Sequence, residues 1–185
     1  RILQGAAAGA GAVVALADVG PNLGAINRAA LLAADFLVIP LAADLFSLQG
    51  LKNLGPTVRA WRDGWKRLQG TVSTDIDLLS GEMTPAGYVV LQQPLRLDRP
   101  RPYRRWLEQI RAVYSEALGD EQPSAETLES KDDQHCLFSL PSFRALMPMA
   151  QDARKPMFDL RPADGALGSL SQLALTCRVE FEGLA

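Results

Sequence analysis

The chain has 185 residues, 48% of them apolar and 22% charged, and its 19 Lys and Arg against 21 Asp and Glu leave a net charge of −2. That composition excludes an intrinsically disordered chain. Near-neutrality excludes a polyelectrolyte, so any affinity for nucleic acid has to come from a local basic patch. Cys136 and Cys177 lack a CxxC or His partner pattern, which points to two ordinary thiols in a reducing compartment rather than a disulfide framework or metal site. No apolar run approaches the roughly 20 residues of a membrane span and no signal peptide opens the sequence. Cytoplasm is the expected location.

Residues 1–11 (RILQGAAAGAG) read as the end of a helix running into a turn, so the chain is expected to begin in mid-domain. Residues 12–17 (AVVALA) and 36–41 (FLVIPL) are short apolar runs, as expected of strands covered on both faces in a parallel sheet. Between them residues 22–34 form a helix opened by Asn22, which makes a βαβ unit with a right-handed crossover. A helix follows over 47–68, with an interruption expected near Gly55-Pro56. After polar, turn-rich residues 70–82 comes a strand at 86–92 (AGYVVLQ). A helix at 102–118 has Pro102 in its first turn.

Residues 119–135 carry six acids and one lysine and read as a mobile surface loop. Helix returns over 141–154, then a short extended PMFDL at 156–160. A last helix over 164–183 places Leu167, Leu170, Leu173, Ala174, Cys177, Phe181 and Leu184 on one core face. No internal repeat is found, and the 185 residues are expected to form a single α/β domain.

In such sheets ligands sit at the carboxyl ends of the strands. Three polar exits fall there: Asp18 after the first run, Asp44 after Pro40, and Gln92-Gln93-Pro94. A carboxylate at the mouth of an apolar strand is costly in a core but cheap beside a bound cation. Two basic clusters stand out. Residues 94–111 hold Arg96, Arg99, Arg101, Arg104, Arg105 and Arg111, with Tyr103 and Trp106 among them; residues 59–67 hold Arg59, Arg62, Lys66 and Arg67. Each is either a phosphate-contacting surface or a solvated helix face. Trp61 and Trp65, four apart, read as packing or a partner surface. His135 stands alone and is not assigned a catalytic role.

The sequence D-x-x-P after an apolar strand, then NRAALLAAD and FLVIPLAADLFSLQGLKNLGP, resembles the ParA/MinD family of deviant Walker P-loop ATPases, in its ParA-like partition branch. Later pieces, YVVLQQPLRLDRPRPYRRW and MAQDARKPMFDLRPADGALG, resemble the family's later strand–helix pairs, although residues 13–55 are the most specific. The resemblance implies a SIMIBI-type P-loop NTPase fold, ATP and Mg²⁺ as ligands, and an ATP-dependent homodimer. It implies a nucleotide switch for DNA partitioning or cargo positioning. By the same resemblance Asp18 corresponds to the Walker B carboxylate, which holds Mg²⁺ through water or orients the attacking water. Gly20 and Pro21 let the backbone turn close to the phosphates, Gln92, Gln93 and Pro156 stand near the base, and Arg99, Arg101, Arg104 and Arg105 contact DNA.

The family's GxxxxGK[ST] loop, whose backbone N–H groups and lysine cradle phosphates, is absent. Lys52, Lys66, Lys131 and Lys155 are followed by Asn53, Arg67, Asp132 and Pro156, so none is a Walker lysine. The expectation is an N-terminally incomplete domain that does not hydrolyse ATP alone. A non-catalytic module of the same fold, binding a protein partner, is the alternative. The terminal helix lacks a basic face, so no MinD-type membrane helix is expected.

Overall fold

A computed structural model describes residues 2–20, 24–72, 78–93, 101–118 and 133–183, with the side chains of residues 101 and 102 excepted. Its elements in chain order are α1 (Ile2–Gly9), α2 (Ala25–Leu32), β1 (Phe36–Ala42), α3 (Leu45–Gln69), β2 (Thr84–Gln93), α4 (Arg101–Leu118), β3 (Cys136–Pro141), α5 (Met147–Ala153) and α6 (Ser169–Glu182). The three strands run parallel in the order β1-β2-β3, an α/β fold of the expected class.

Because the strands follow one another in sequence order, crossovers of one hand carry α3 and α4 to the same face of the sheet. Leu37, Ile39 and Leu41 of β1 point to that face and join Leu51, Val58, Tyr88, Val90, Ile110 and Tyr114 in the main core. A second cluster lies under α6, where Leu146, Leu160, Ala166, Ala174 and Cys177 are buried. Neither cysteine forms a disulfide.

The other face of the sheet is unevenly covered. At β3, α6 approaches closely enough that a Cβ on Gly183 would stand 3.7 Å from Phe138. At β1, Phe36 is 68% exposed, Val38 is 46% exposed and Pro40 is exposed, so the strand alternates open and buried along its length. Parallel strands are ordinarily covered on both faces. Among the described residues β1 is also an edge of the sheet.

Several sequence expectations need correcting. Residues 12–17 form no strand: among the described residues they find no ladder partner, and a strand without a ladder has no hydrogen bonds to hold it. Val13 and Leu16 are almost fully solvent-exposed instead. The helix expected over 22–34 is shorter and opens after Gly24, while Asn22 lies outside the described residues. No break occurs at Gly55-Pro56. Pro56 lies on the exposed side, and the buried side chains Leu48, Leu51 and Val58 hold the turns before and after it.

Strand β3 has no counterpart among the sequence expectations; it fills the interval between the loop read over 119–135 and the helix read from 141, overlapping that helix only at Pro141. Of the loop expected over 119–135, residues 119–132 lie outside the described residues. PMFDL is not extended but carries a 3₁₀ turn, Met157–Asp159. The last helix starts five residues late, at Ser169, which leaves Leu167 exposed. Leu184 lies outside the described residues.

Candidate functional site at the carboxyl rim of the sheet

The register of the ladders aligns Ala42 with Leu91 and Gln93 with Pro141, so the exits of all three strands share one rim. At the exit of β1 the turn is closed by two side chains. Asp44 Oδ1 accepts from Ser47 N at 2.8 Å, and Ser47 Oγ accepts from Ala42 N at 3.0 Å. Asp44 is therefore the N-cap of α3, satisfying one of the orphan N–H groups of its first turn. Its carboxylate is engaged by the backbone, which explains the residue without a ligand.

The exit of β2 is irregular. Val90 pairs with Ser139 and Gln93 with Pro141, so β2 uses one more residue than β3 over that interval, a β-bulge. The bulged residue is Gln92, at φ 58°, in the left-handed region where a side chain other than Asn, Asp or Gly is uncommon. Gln93 resumes the link to the neighbouring strand's exit, its carbonyl accepting from Ser142 N at 2.9 Å. Two residues on, Arg144 Nη2 donates to Gln92 Oε1 at 3.0 Å. Arg144 does not stand out in the sequence; no motif marks it, because its meeting with Gln92 depends on the β2–β3 register.

Asp18 is exposed, in the irregular stretch that precedes α2. The next residue, Val19, packs against the main core, and Gly20 O accepts from Asn27 Nδ2 at 2.9 Å, which fastens this stretch to α2. No hydrogen bond or ion pair with another described residue engages the Asp18 carboxylate. Nor does any such bond bring Asp18 together with Gln92, Gln93 or Pro156. Pro21 lies outside the described residues. Pro156 is exposed and precedes the turn at Met157–Asp159.

Lys155 is committed elsewhere, its ammonium donating to both oxygens of Asp164 at 2.7 and 2.9 Å. That lysine, aided by the backbone N–H of Arg161, holds the Asp164 carboxyl below its usual range. Among the described residues no group of three or more His, Cys, Asp or Glu is placed to hold a metal ion.

Of the four arginines read as DNA contacts, Arg99 and the side chain of Arg101 lie outside the described residues. Arg104 and Arg105 are exposed on α4. The aromatics among them, Tyr103 and Trp106, are half-buried and pack against the main core. Trp61 and Trp65 pack there as well. Trp65 donates to Leu79 O at 2.9 Å, and Arg28 stands 5.7 Å from the Trp61 ring. Arg59 donates to the Glu116 and Ala117 carbonyls, closing the C-terminal end of α4.

His135 is not isolated. At the amino end of β3 its carbonyl accepts from Tyr88 N, midway along β2, at 2.8 Å, and its ring lies 5.1 Å from that of Tyr114. Asp133 accepts from the Tyr88 hydroxyl and, at 3.0 Å, from His135 N. Burial, and then the Asp133 carboxylate, push the Tyr88 hydroxyl far above its ordinary range. These contacts describe a structural clamp between β2, α4 and the start of β3.

None of the described helices is long and apolar enough to cross a membrane. Among curated proteins and among solved structures nothing matches this chain. A family model described as an AAA domain, which belongs to the P-loop ATPases related to ParA and MinD, matches residues 13–69, the stretch from the exposed apolar run before Asp18 to the end of α3.

Proposed function

We propose that this chain is part of a ParA-like ATPase that uses ATP binding and hydrolysis as a switch for positioning DNA or another cargo. The observation that carries the reading is the match over residues 13–69, which falls on the stretch that ends its apolar run in Asp18. The open face of β1 and its edge position among the described residues support it, since a parallel strand of this kind is built to be flanked. A strand bearing a phosphate loop has room there.

The residues present fit one end of a nucleotide and not the other. The irregular exit of β2 offers polar side chains where a base would lie. The phosphate end has the Asp18 carboxylate but no lysine-bearing loop, so no hydrolytic step is derived for these residues alone. In the reading proposed, that loop comes from outside them. Asp18 would then hold Mg²⁺, a hard cation suited to oxygen ligands, whose chemistry would be charge neutralisation in phosphoryl transfer. Arg104 and Arg105 contact DNA phosphates without reading bases.

The test is made in the native full-length protein. Asp18→Ala suppresses ATP hydrolysis there while the far-UV circular dichroism and melting temperature stay near those of the parent. An unchanged rate removes Asp18 from the site. The 185-residue chain by itself shows no ATP turnover; turnover that disappears with Asp18→Ala would show that a phosphate loop is not needed.

A further inference from the structure

Gln92 holds three unusual features at one point. It is the extra residue of a bulge, it has a left-handed backbone, and its side-chain carbonyl is gripped by an arginine from the next strand exit. Bulges between parallel strands are rare, and where they occur beside active sites they re-aim a side chain. A left-handed backbone in a residue other than glycine is strained and persists where surrounding structure over-determines it. Here the surroundings are the Ser142–Gln93 link on one side and Arg144 on the other.

We propose that Arg144 is a positioning residue that fixes the polarity of the Gln92 amide, so that Gln92 donates a hydrogen bond to a ring-nitrogen acceptor of the nucleotide base. This rests on the nucleotide-binding reading of the rim. An amide has one accepting and one donating end, and nothing in the residue itself decides which faces outward. Guanidinium only donates, so it accepts no partner but the carbonyl end. With Oε1 turned to Arg144, Nε2 is the end left to a ligand. Both side chains are exposed at the strand ends, where a ligand of such a sheet sits. The outward Nε2 is a donor, so it reads an unprotonated ring nitrogen rather than an exocyclic amino group.

The experiment measures the affinity of the native full-length protein for ATP, 1-deaza-ATP, 3-deaza-ATP and 7-deaza-ATP by calorimetry. Each analogue lacks one ring-nitrogen acceptor. The parent binds one analogue more weakly than ATP by roughly five- to tenfold, the worth of one hydrogen bond. Arg144→Ala binds ATP at that weakened level and no longer distinguishes the analogue. Gln92→Glu keeps an acceptor for Arg144 but loses the outward donor, so it retains the parent's melting temperature while its ATP affinity falls. Gln92→Gly, at ease with φ 58°, behaves likewise and guards against a folding defect. Parent-like affinity and discrimination in Arg144→Ala and Gln92→Glu would overturn the proposal alone, as would a parent that binds ATP and all three analogues equally. A parent that binds no ATP would overturn the nucleotide reading together with it.

Discussion

Three glycines of α3 offer a test in which one substitution is expected to have opposite signs within a single helix. A Cβ added at Gly50 or Gly64 meets nothing within 4 Å. At Gly55 it would lie 2.5 Å from Ala117 Cβ and 2.8 Å from Ala117 O, where α3 crosses the end of α4. Alanine in a helix interior gains about 1 kcal/mol over glycine, chiefly because glycine loses more backbone freedom on folding. Gly50→Ala and Gly64→Ala are therefore expected to stabilise by about 0.5–1 kcal/mol each.

Gly55→Ala receives the same gain but has to separate two helices. The nearest atoms include a backbone oxygen, which cannot swing aside as a side chain can. Overpacking of this kind costs about 1–3 kcal/mol, and spreading the pair also strains the bonds from Arg59 to the last carbonyls of α4. The net expectation is a loss of about 1 kcal/mol. Urea unfolding followed by far-UV circular dichroism measures all three variants, with the slope against denaturant checked to be constant. Adding Ala117→Gly to Gly55→Ala restores part of the stability, since it removes the clash with the Ala117 Cβ but leaves the carbonyl. If Gly55→Ala stabilises as much as the other two, the close crossing of α3 and α4 is wrong.

Asp44→Ala is expected to cost about 1 kcal/mol of stability while Asp44→Asn costs much less, because the cap needs an accepting oxygen rather than a charge; equal losses would show that the carboxylate serves another purpose. Tyr88 keeps its proton in the folded chain because burial and Asp133 raise its pKa, whereas an unfolded tyrosine ionises near pH ~10. The sign follows: its contribution is fully present below that pH and is lost as pH rises above it, so Tyr88→Phe flattens the alkaline decline of the melting temperature, and an unaltered decline would contradict the burial argument. For the basic surface, Arg104→Ala with Arg105→Ala in the native full-length protein, with a non-hydrolysed ATP analogue present, weakens binding equally for unrelated duplexes. It also makes the salt slope shallower by about 0.9 for each DNA phosphate that is no longer neutralised; parent values of both would end the DNA reading of these two residues.

How far the sequence speaks depends on what each element leans on. Helices α3 and α4 and strands β1 and β2 are legible because their apolar spacing reports local periodicity, and each buries the face that the spacing marks. The run at 12–17 has equal apolar content, but apolarity makes a strand only where a neighbour supplies hydrogen bonds, and pairing is not written in the run itself. Strand β3 escapes notice for the converse reason: CLFSLP is short and half-buried along most of its length, and β2 holds it in place. At the rim, Gln92 and Gln93 are visible as polar residues after a strand. The bulge that singles out Gln92 exists only in the register against β3, as does the approach of Arg144 from 52 positions away. Likewise Asp44 reads as a candidate ligand until the Ser47 amide is seen beside it. The Tyr88–Asp133 bond spans 45 positions, beyond the reach of any local pattern.

The unequal covering of the sheet also bears on how the chain behaves in the tube. β3 is sheltered by α6, but β1 is an edge among the described residues, with Phe36, Val38 and Pro40 on an open face, and such an edge is a template for a strand from a neighbouring molecule. Protein concentration is thus a variable to control for these 185 residues: association through β1 would raise the apparent melting point by mass action while lowering solubility. A charged residue in place of Val38 uncouples the two, because it disfavours stacking on that face without touching the side of the strand that builds the core.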